Sequence, residues 1–326
     1  MKAIIFDAYG PPDILQYKDV EKPIPEDDEV LINVRAASVT YGDLAAVRGK
    51  PFIVRFSTGL RTPKFHIPGK DVAGQVVAVG ARVTLFKLGD AVYGDLSENG
   101  WGSYAEYVCA PENALALKPA NISFEEAAAV PESAVVALQG LRDKGQIKAG
   151  QNVLINGASG GIGTFAVQIA KSFGAEVTGV CSTRNSGLVQ SIGADFVVDY
   201  TKEDFSQNGQ KYDLILATAG YRSLFDYRQA LKPGGTYVAT GGSTAQVFQP
   251  MYLGPWLSTG GRKMGNLVMK PAIKDLIFLK ELIEGGQVKP IIDRCFKLED
   301  TASALSYYEK GRSRGKVIIT MDSNSA

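Results

Sequence analysis

The sequence predicts an α/β protein made of a β-rich part and a doubly wound parallel sheet. Three observations carry that prediction. Residues 1–123 are dense in short β-branched runs separated by Pro and Gly. Beyond Gly150, strand-length and helix-length patterns alternate, which implies parallel βαβ units. The length of 326 residues, 45% of them hydrophobic, suits two domains of roughly 100–200 residues each. The expected division places 1–123 and 290–326 in the β-rich domain and 124–289 in the parallel-sheet domain.

In chain order, the first part offers strands at 3–6, 29–36, 72–79, 91–93 and 104–108. Ser123 followed by Glu126 spells a capping box: the serine oxygen accepts from the third helical N–H and the glutamate reaches back, so a helix starts there. Pro131 should kink or restart it. Strands then fall at 152–156, 176–181, 196–199, 213–217 and 235–240, with helices at 162–173 and 188–192. A late helix over 273–284, apolar on one broad face, stops at Gly285 and Gly286. A final strand is expected at 316–320, and 265–269 reads as an exposed sheet edge.

Composition excludes several classes of function. Lys and Arg total 35 against 34 Asp and Glu, a net charge of +1, so no bulk field draws in nucleic acid or an anionic membrane. Cys109, Cys181, Cys295 and the single His66 are too scattered for the clustered ligands of a structural metal site, and no metal is expected. His66, between Pro63 and Pro68, reads as a surface residue. Residues 151–170 carry no charge over the length of about 20 that spans a bilayer, but Gly157, Gly160, Gly161 and Gly163 in their middle read as strand, turn and helix rather than a membrane span. The opening MKAIIFDAYG has too short an apolar run for a signal core, and the expected location is cytoplasmic.

The central motif is Val153–Gly163, an apolar strand running into Gly157-Ala158-Ser159-Gly160-Gly161-Ile162-Gly163 and then an apolar helix. Gly157 allows a tight turn, Gly160 lets a pyrophosphate approach the backbone, and Gly163 lets helix and strand pack. The helix N-terminus supplies unpaired N–H groups and partial positive charge for phosphates. Strand, turn, helix and second strand together predict dinucleotide binding. An NAD site places an acid at the end of the second strand, whereas this chain has Cys181-Ser182-Thr183-Arg184. Ser182, Thr183 and Arg184 can instead hold a 2′-phosphate, with Tyr200 flanking it, so NADP(H) is the expected cofactor.

With the cradle in view, the run Ile67-Pro68-Gly69-Lys70-Asp71-Val72-Ala73-Gly74-Gln75-Val76-Val77-Ala78-Val79-Gly80 resembles the signature of the medium-chain dehydrogenase/reductase superfamily in its zinc-free quinone oxidoreductase branch. Gly89–Gly94, Gly102–Tyr107, Leu231–Gly235 and the closing Gly315-Lys316-Val317 extend the likeness over nearly the whole chain. Zinc-dependent relatives carry G-H-E where this chain has Gly69-Lys70-Asp71. The resemblance implies a GroES-like catalytic domain interrupted by a Rossmann domain, an active site in the cleft between them, and a homodimer formed through Rossmann edge strands. It also implies cofactor contacts at Ala219, Gly241, Gly242, Ser243, Gly315 and Lys316.

The implied reaction is hydride transfer from NADPH to a quinone or an α,β-unsaturated carbonyl. Without metal, hydrogen-bond donors must hold the oxygen that gains charge. The family's S-V-N-P-x-D segment reads Ser38-Val39-Thr40-Tyr41-Gly42-Asp43 here, and the family's nicotinamide threonine aligns with Val136. Tyr41 is the expected oxygen donor, with Thr40 beside the nicotinamide and Asp43 fixing the loop. Glu132 is either an acid in an apolar wall or a solvated helix-start carboxylate. Phe52, Tyr252 and Trp256 sit on apolar segments read as loops that line a substrate pocket. Two other functions stay open: a zinc-free reductase of another carbonyl or biosynthetic intermediate, and an NADPH-binding scaffold without chemistry.

Overall fold

Strand β1 (Lys2–Ile5) pairs antiparallel with β2 (Gln16–Asp19), and the chain then enters the main sheet of the first unit through β3 (Glu29–Val39). In the structure, a computed structural model that describes residues 1–220, 222–242 and 244–321, β3 is the spine of this sheet. It pairs antiparallel with β4 (Asp71–Val79), which carries β5 (Ala91–Asp95) on its far side. The other partners are β6 (Tyr107–Pro111) on β3 and β7 (Leu115–Leu117) on β5. Val30, Ile32 and Val34 fall on one face of β3 and join Val72, Val76 and Val92 in the core. The strand expected at 104–108 forms three residues later, at Tyr107–Pro111.

Helix α1 (Tyr41–Arg48) follows β3 directly, where the sequence suggested a loop, and the short α2 (Arg55–Thr58) comes after it. Thr40 and Asp43 form a reciprocal capping box at the start of α1. Helix α3 (Phe124–Ala128) begins at the predicted Ser123–Glu126 box, and α4 (Pro131–Leu138) restarts with Pro131 as its first residue.

The second unit alternates β8 (Asn152–Asn156), α5 (Gly161–Ser172), β9 (Glu176–Cys181), α6 (Ser186–Ser191), β10 (Phe196–Asp199), β11 (Tyr212–Ala217), α7 (Leu224–Ala230), β12 (Leu231–Ala239), α8 (Thr244–Leu257) and β13 (Lys263–Asn266). Its six strands run parallel in the order β10-β9-β8-β11-β12-β13. The order reverses direction between β8 and β11, which is where doubly wound sheets bind ligands. Leu154, Ile215, Ala217 and Ala239 fill its core, consistent with strands covered on both faces.

The return consists of α9 (Ile273–Glu284), β14 (Ile292–Lys297), α10 (Thr301–Glu309) and β15 (Lys316–Thr320). β15 lies between β14 and β3, so the last strand closes the first sheet. The two compact units are 1–132 with 271–284 and the residues from 290, and 133–270 with 285–289. The expected boundaries at 123 and 290 therefore shift. Helix α9 belongs with the β-rich unit, because Tyr93 Oη donates to Leu276 O at 2.6 Å and Asn121 Nδ2 to Ile283 O at 2.9 Å. Among the described residues no helix is long and apolar enough to cross a membrane.

Candidate active site

The glycine turn between β8 and α5 is built by close contacts. Gly157 has φ +88°, and a Cβ there would lie 2.5 Å from Ala219 Cβ; a Cβ on Gly163 would lie 2.1 Å from Gly157 O. Both positions exclude any side chain. Gly160 differs: it is the N-cap of α5 with no side-chain cap, and a Cβ there would meet only Gly157 O, at 3.5 Å. The first N–H groups of a twelve-residue helix, with Gly161, Ile162 and Gly163 in its first turn, thus face space that no side chain of the turn fills. Asn185 Nδ2 donates to Ser159 Oγ at 2.9 Å and fixes the turn from outside, while Asn185 Oδ1 is buried without a partner. That Asn185 braces the turn is something motif spacing did not reveal.

At the end of β9, Ser182 opens a short 3-10 turn over Thr183–Asn185, and Arg184 is exposed. The parallel register sets Asp199 beside Cys181, an acid brought to this corner by β10 rather than by β9 itself. Asp199 accepts from the Thr183 hydroxyl, from Thr201 N and Thr201 Oγ1, and has Lys202 Nζ at 3.5 Å. The Thr183 hydroxyl leads in holding its carboxyl down at about 2. Thr183, expected to donate to a 2′-phosphate, spends its hydrogen on Asp199. Tyr200 stands exposed at the same corner.

The loops after β11 and β12 are pinned together. Asn156 Nδ2 donates to Tyr227 Oη at 2.6 Å and Ala219 O at 3.2 Å; Tyr227 Oη donates to Gln246 Oε1 at 3.1 Å. Gln246 Nε2 donates to Ala219 O and to Gly241 O, at 3.2 and 2.8 Å. This buried network holds Ala219, Gly241 and Gly242 in place. Ser243 lies outside the described residues. Residues 251–257, read as a loop, are instead the second half of α8, which carries Pro250 and Pro255 within it. Tyr252 and Trp256 project outward, 72% and 81% exposed, and Phe52 in the other unit is 61% exposed.

In the β-rich unit, charged groups gather around the N-terminus of α1. Thr40 Oγ1 donates to Asp43 Oδ2 at 2.8 Å and accepts from Asp43 N, so the hydroxyl expected beside the nicotinamide is occupied as a helix cap. Tyr41 is the first helical residue, with its phenol half exposed. Asp71 is fully buried, accepting from Ser38 Oγ at 2.6 Å and from Glu132 N at 3.0 Å, with Lys316 Nζ 3.6 Å away. Lys316, expected at the cofactor, is itself buried in this cluster, and Gly315 makes a tight turn under Ile291 O. Burial pushes Asp71 well above the usual carboxylate range, against Lys316. Burial, aided by Glu132, lifts Asp95 to about 6, and burial also raises Asp43, opposed by Lys70. His66 is a surface residue, with Nδ1 2.9 Å from Asp7 Oδ1. Among the described residues no group of three His, Cys, Asp or Glu side chains is placed to hold a metal ion.

A β-rich unit interrupted by a parallel-sheet unit with a glycine cradle at its switch point defines a two-part nucleotide-dependent oxidoreductase fold. Comparison with known proteins agrees. Residues 26–120 match the model of the alcohol dehydrogenase GroES-like domain, and residues 192–319 match that of a zinc-binding dehydrogenase. The chain is 36% identical over 331 residues to the 2-methylene-furan-3-one reductase of Solanum lycopersicum, covering 98% of this chain and 79% of that protein. It is 35% identical over 332 residues to the chloroplastic NADPH-dependent alkenal/one oxidoreductase of Arabidopsis thaliana, with the same coverage of 98% and 79%. The quinone oxidoreductase structure from Coxiella burnetii superimposes with a TM-score of 0.87 at 29% identity, over 98% of this chain and 99% of that one. The chain belongs to the medium-chain dehydrogenase/reductase superfamily, in its zinc-free quinone oxidoreductase branch.

Proposed function

We propose that the protein is an NADPH-dependent reductase that delivers hydride to an α,β-unsaturated carbonyl or a quinone without a metal. The observation that carries this reading is the open face of Gly160 at the uncapped start of α5. The residues present fit a dinucleotide: backbone N–H groups of the first turn would hold the pyrophosphate, and Ser182, Arg184 and Tyr200 the 2′-phosphate. Ala219, Gly241 and Gly242, fixed by the Asn156–Tyr227–Gln246 network, would receive the nicotinamide end. Asp199 is already satisfied by two threonines and Lys202, so it is not a free acceptor for the ribose 2′-hydroxyl that marks NAD sites. When bound, the reduced cofactor supplies the hydride.

The chain's own task is the oxygen. As hydride arrives at carbon, negative charge develops on the carbonyl oxygen, and a donor aimed there lowers the barrier. Tyr41 offers a phenol that is half exposed at the first turn of α1. The relatives' names place alkenals, enones and quinones within the same chemistry. We further propose that β13, at the edge of the parallel sheet, pairs with a second copy; sedimentation of a monomer at micromolar concentration would oppose it.

Steady-state reduction of an enone or a quinone by NADPH tests the reading. Its cofactor half is tested by titration. NADPH should bind more tightly than NADH, and Arg184→Ala should cost NADPH about 1.5–3 kcal/mol, the range for hydrogen bonds to charged groups, or roughly 10- to 150-fold. NADH affinity should barely change. Equal affinities for the two nucleotides in the wild type would remove Ser182 and Arg184 from the phosphate site.

A further inference from the structure

Lys70 ends the Pro-Gly turn that leads into β4, and its side chain lies against the start of α1. A Cβ on Gly42 would fall 2.0 Å from Lys70 Nζ and 3.5 Å from Thr40 Oγ1, so the ammonium occupies the space that a side chain at position 42 would need. Among the described residues Nζ has no hydrogen-bond or ion-pair partner. Its nearest aromatic contact is the Trp101 ring, 4.8 Å from Nζ to the centroid. Trp101 is held at φ +66°, between Gly100 and Gly102, a left-handed backbone that costs a bulky residue energy and is found where a site demands it.

The surroundings keep the charge on. Burial works against the Lys70 ammonium, but Glu132, Asp43, Asp95 and Asp71 together outweigh it and raise its pKa. Two of these carboxylates keep a buried oxygen without a partner, Glu132 Oε2 and Asp43 Oδ1. Of the four, Asp71 has a second cation close by, Lys316 Nζ at 3.6 Å. The result is an ammonium with three N–H donors to give, against Gly42, the residue that follows the proposed phenol donor in α1. A purely structural lysine would point those donors at the nearby carboxylates.

We propose that Lys70 is the charged member of an oxyanion site whose neutral member is Tyr41, taking the substrate oxygen that becomes negative when hydride adds. The proposal rests on the reductase reading. In an enone, hydride bonds to the β-carbon, the C=C pair shifts toward the oxygen, and an enolate forms. A proton from water then completes the α-carbon, giving the saturated carbonyl and oxidised nicotinamide. Lys70 keeps its three protons throughout and acts by charge and hydrogen bond. Because the charge exists only after hydride begins to transfer, Lys70 should weigh on kcat more than on KM.

Two measurements test it. In kinetics with an enone, Lys70→Met should lower kcat about 100- to 1,000-fold, the loss of one preorganised oxyanion donor, with KM changed less than about threefold. Lys70→Arg, which keeps the charge, should recover at least about a tenth of the wild-type rate. In binding to nucleotide-free wild-type protein, 4-nitrophenol should be held as its coloured phenolate at a pH where the free probe is mostly protonated, and this shift should vanish in Lys70→Met. Should Lys70→Met fail to fold, the wild-type probe spectrum and the Lys70→Arg rate still decide. Wild-type kcat in Lys70→Met, or a probe bound as the neutral phenol, overturns the proposal. A wild type that reduces no enone or quinone refutes the reductase reading instead, and the phenolate spectrum then judges Lys70 alone.

Discussion

The Gly160→Val substitution should weaken NADPH binding about 100-fold or more while leaving the free protein as stable as the wild type. The two effects separate because of what surrounds each glycine in the cradle. Gly160 has φ −84° and ψ 177°, a conformation open to any residue, and a Cβ there meets nothing closer than 3.5 Å. Its side chain would therefore cost the fold within about 0.5 kcal/mol. It would stand instead in front of the α5 N-terminus, where a pyrophosphate must approach the backbone. Losing one or two hydrogen bonds to charged oxygen, at about 1.5–3 kcal/mol each, gives the 100-fold figure. Gly163→Val is the contrast: its Cβ would meet Gly157 O at 2.1 Å and Ala158 Cα at 2.8 Å, so it should lower thermal stability by about 1–3 kcal/mol or more through overpacking. Calorimetric titration and thermal melts on both variants read the split. Unchanged NADPH affinity in Gly160→Val would mean that the cradle does not bind the pyrophosphate.

Tyr41→Phe should reduce kcat for an active enone about 10- to 1,000-fold, the upper end matching loss of one oxyanion donor. NADPH affinity should stay within about twofold, since the ring and its place on α1 are retained. The Thr40–Asp43 capping box sets the helix start without using the phenol, so the variant should melt with the wild type. If kcat is unchanged, Tyr41 is a surface tyrosine and the oxygen is held by other donors.

The parts of this molecule that the sequence spelled out are those whose cause is local. The strands Asn152–Asn156 and Phe196–Asp199 and the helix Ile273–Glu284 coincide with the expected spans because turn residues bound their apolar patterns closely. Helix α8 was hidden because Pro250, Gly254 and Pro255, all breakers of local pattern, lie inside it. Helix α1 was hidden because its capping box uses Asp43 where the common signature has Glu or Gln, with a glycine next to it. The glycine cradle was legible for the same local reason that strands are: strand, turn and helix follow one another along the chain.

What the chain assembles from distant segments could not be read in advance. Asp199 reaches the end of β9 only through the parallel pairing of β10, 18 residues downstream of Cys181 in the register Asp199↔Cys181. Lys316 reaches Asp71 because β15 inserts beside β3, bringing the last strand to the sheet that holds the signature motif. Lys70 was visible only as a departure in the signature. Its setting between Gly42, Trp101, Asp43 and Glu132 required three other segments to converge on it. Signals for such groups exist in sequence only as charged residues in otherwise apolar or glycine-rich runs, and Lys70-Asp71 is one of these.

The most direct test of the central claim is reduction of an enone by NADPH carrying deuterium on the transferable C4 position, using protein exhaustively treated with a chelator and shown free of zinc by elemental analysis. Full turnover is expected after chelation, with the deuterium recovered on the β-carbon of the saturated product and a solvent proton on the α-carbon. Activity that disappears with the metal and returns with added zinc, or deuterium found on the carbonyl carbon of an alcohol product, would contradict it.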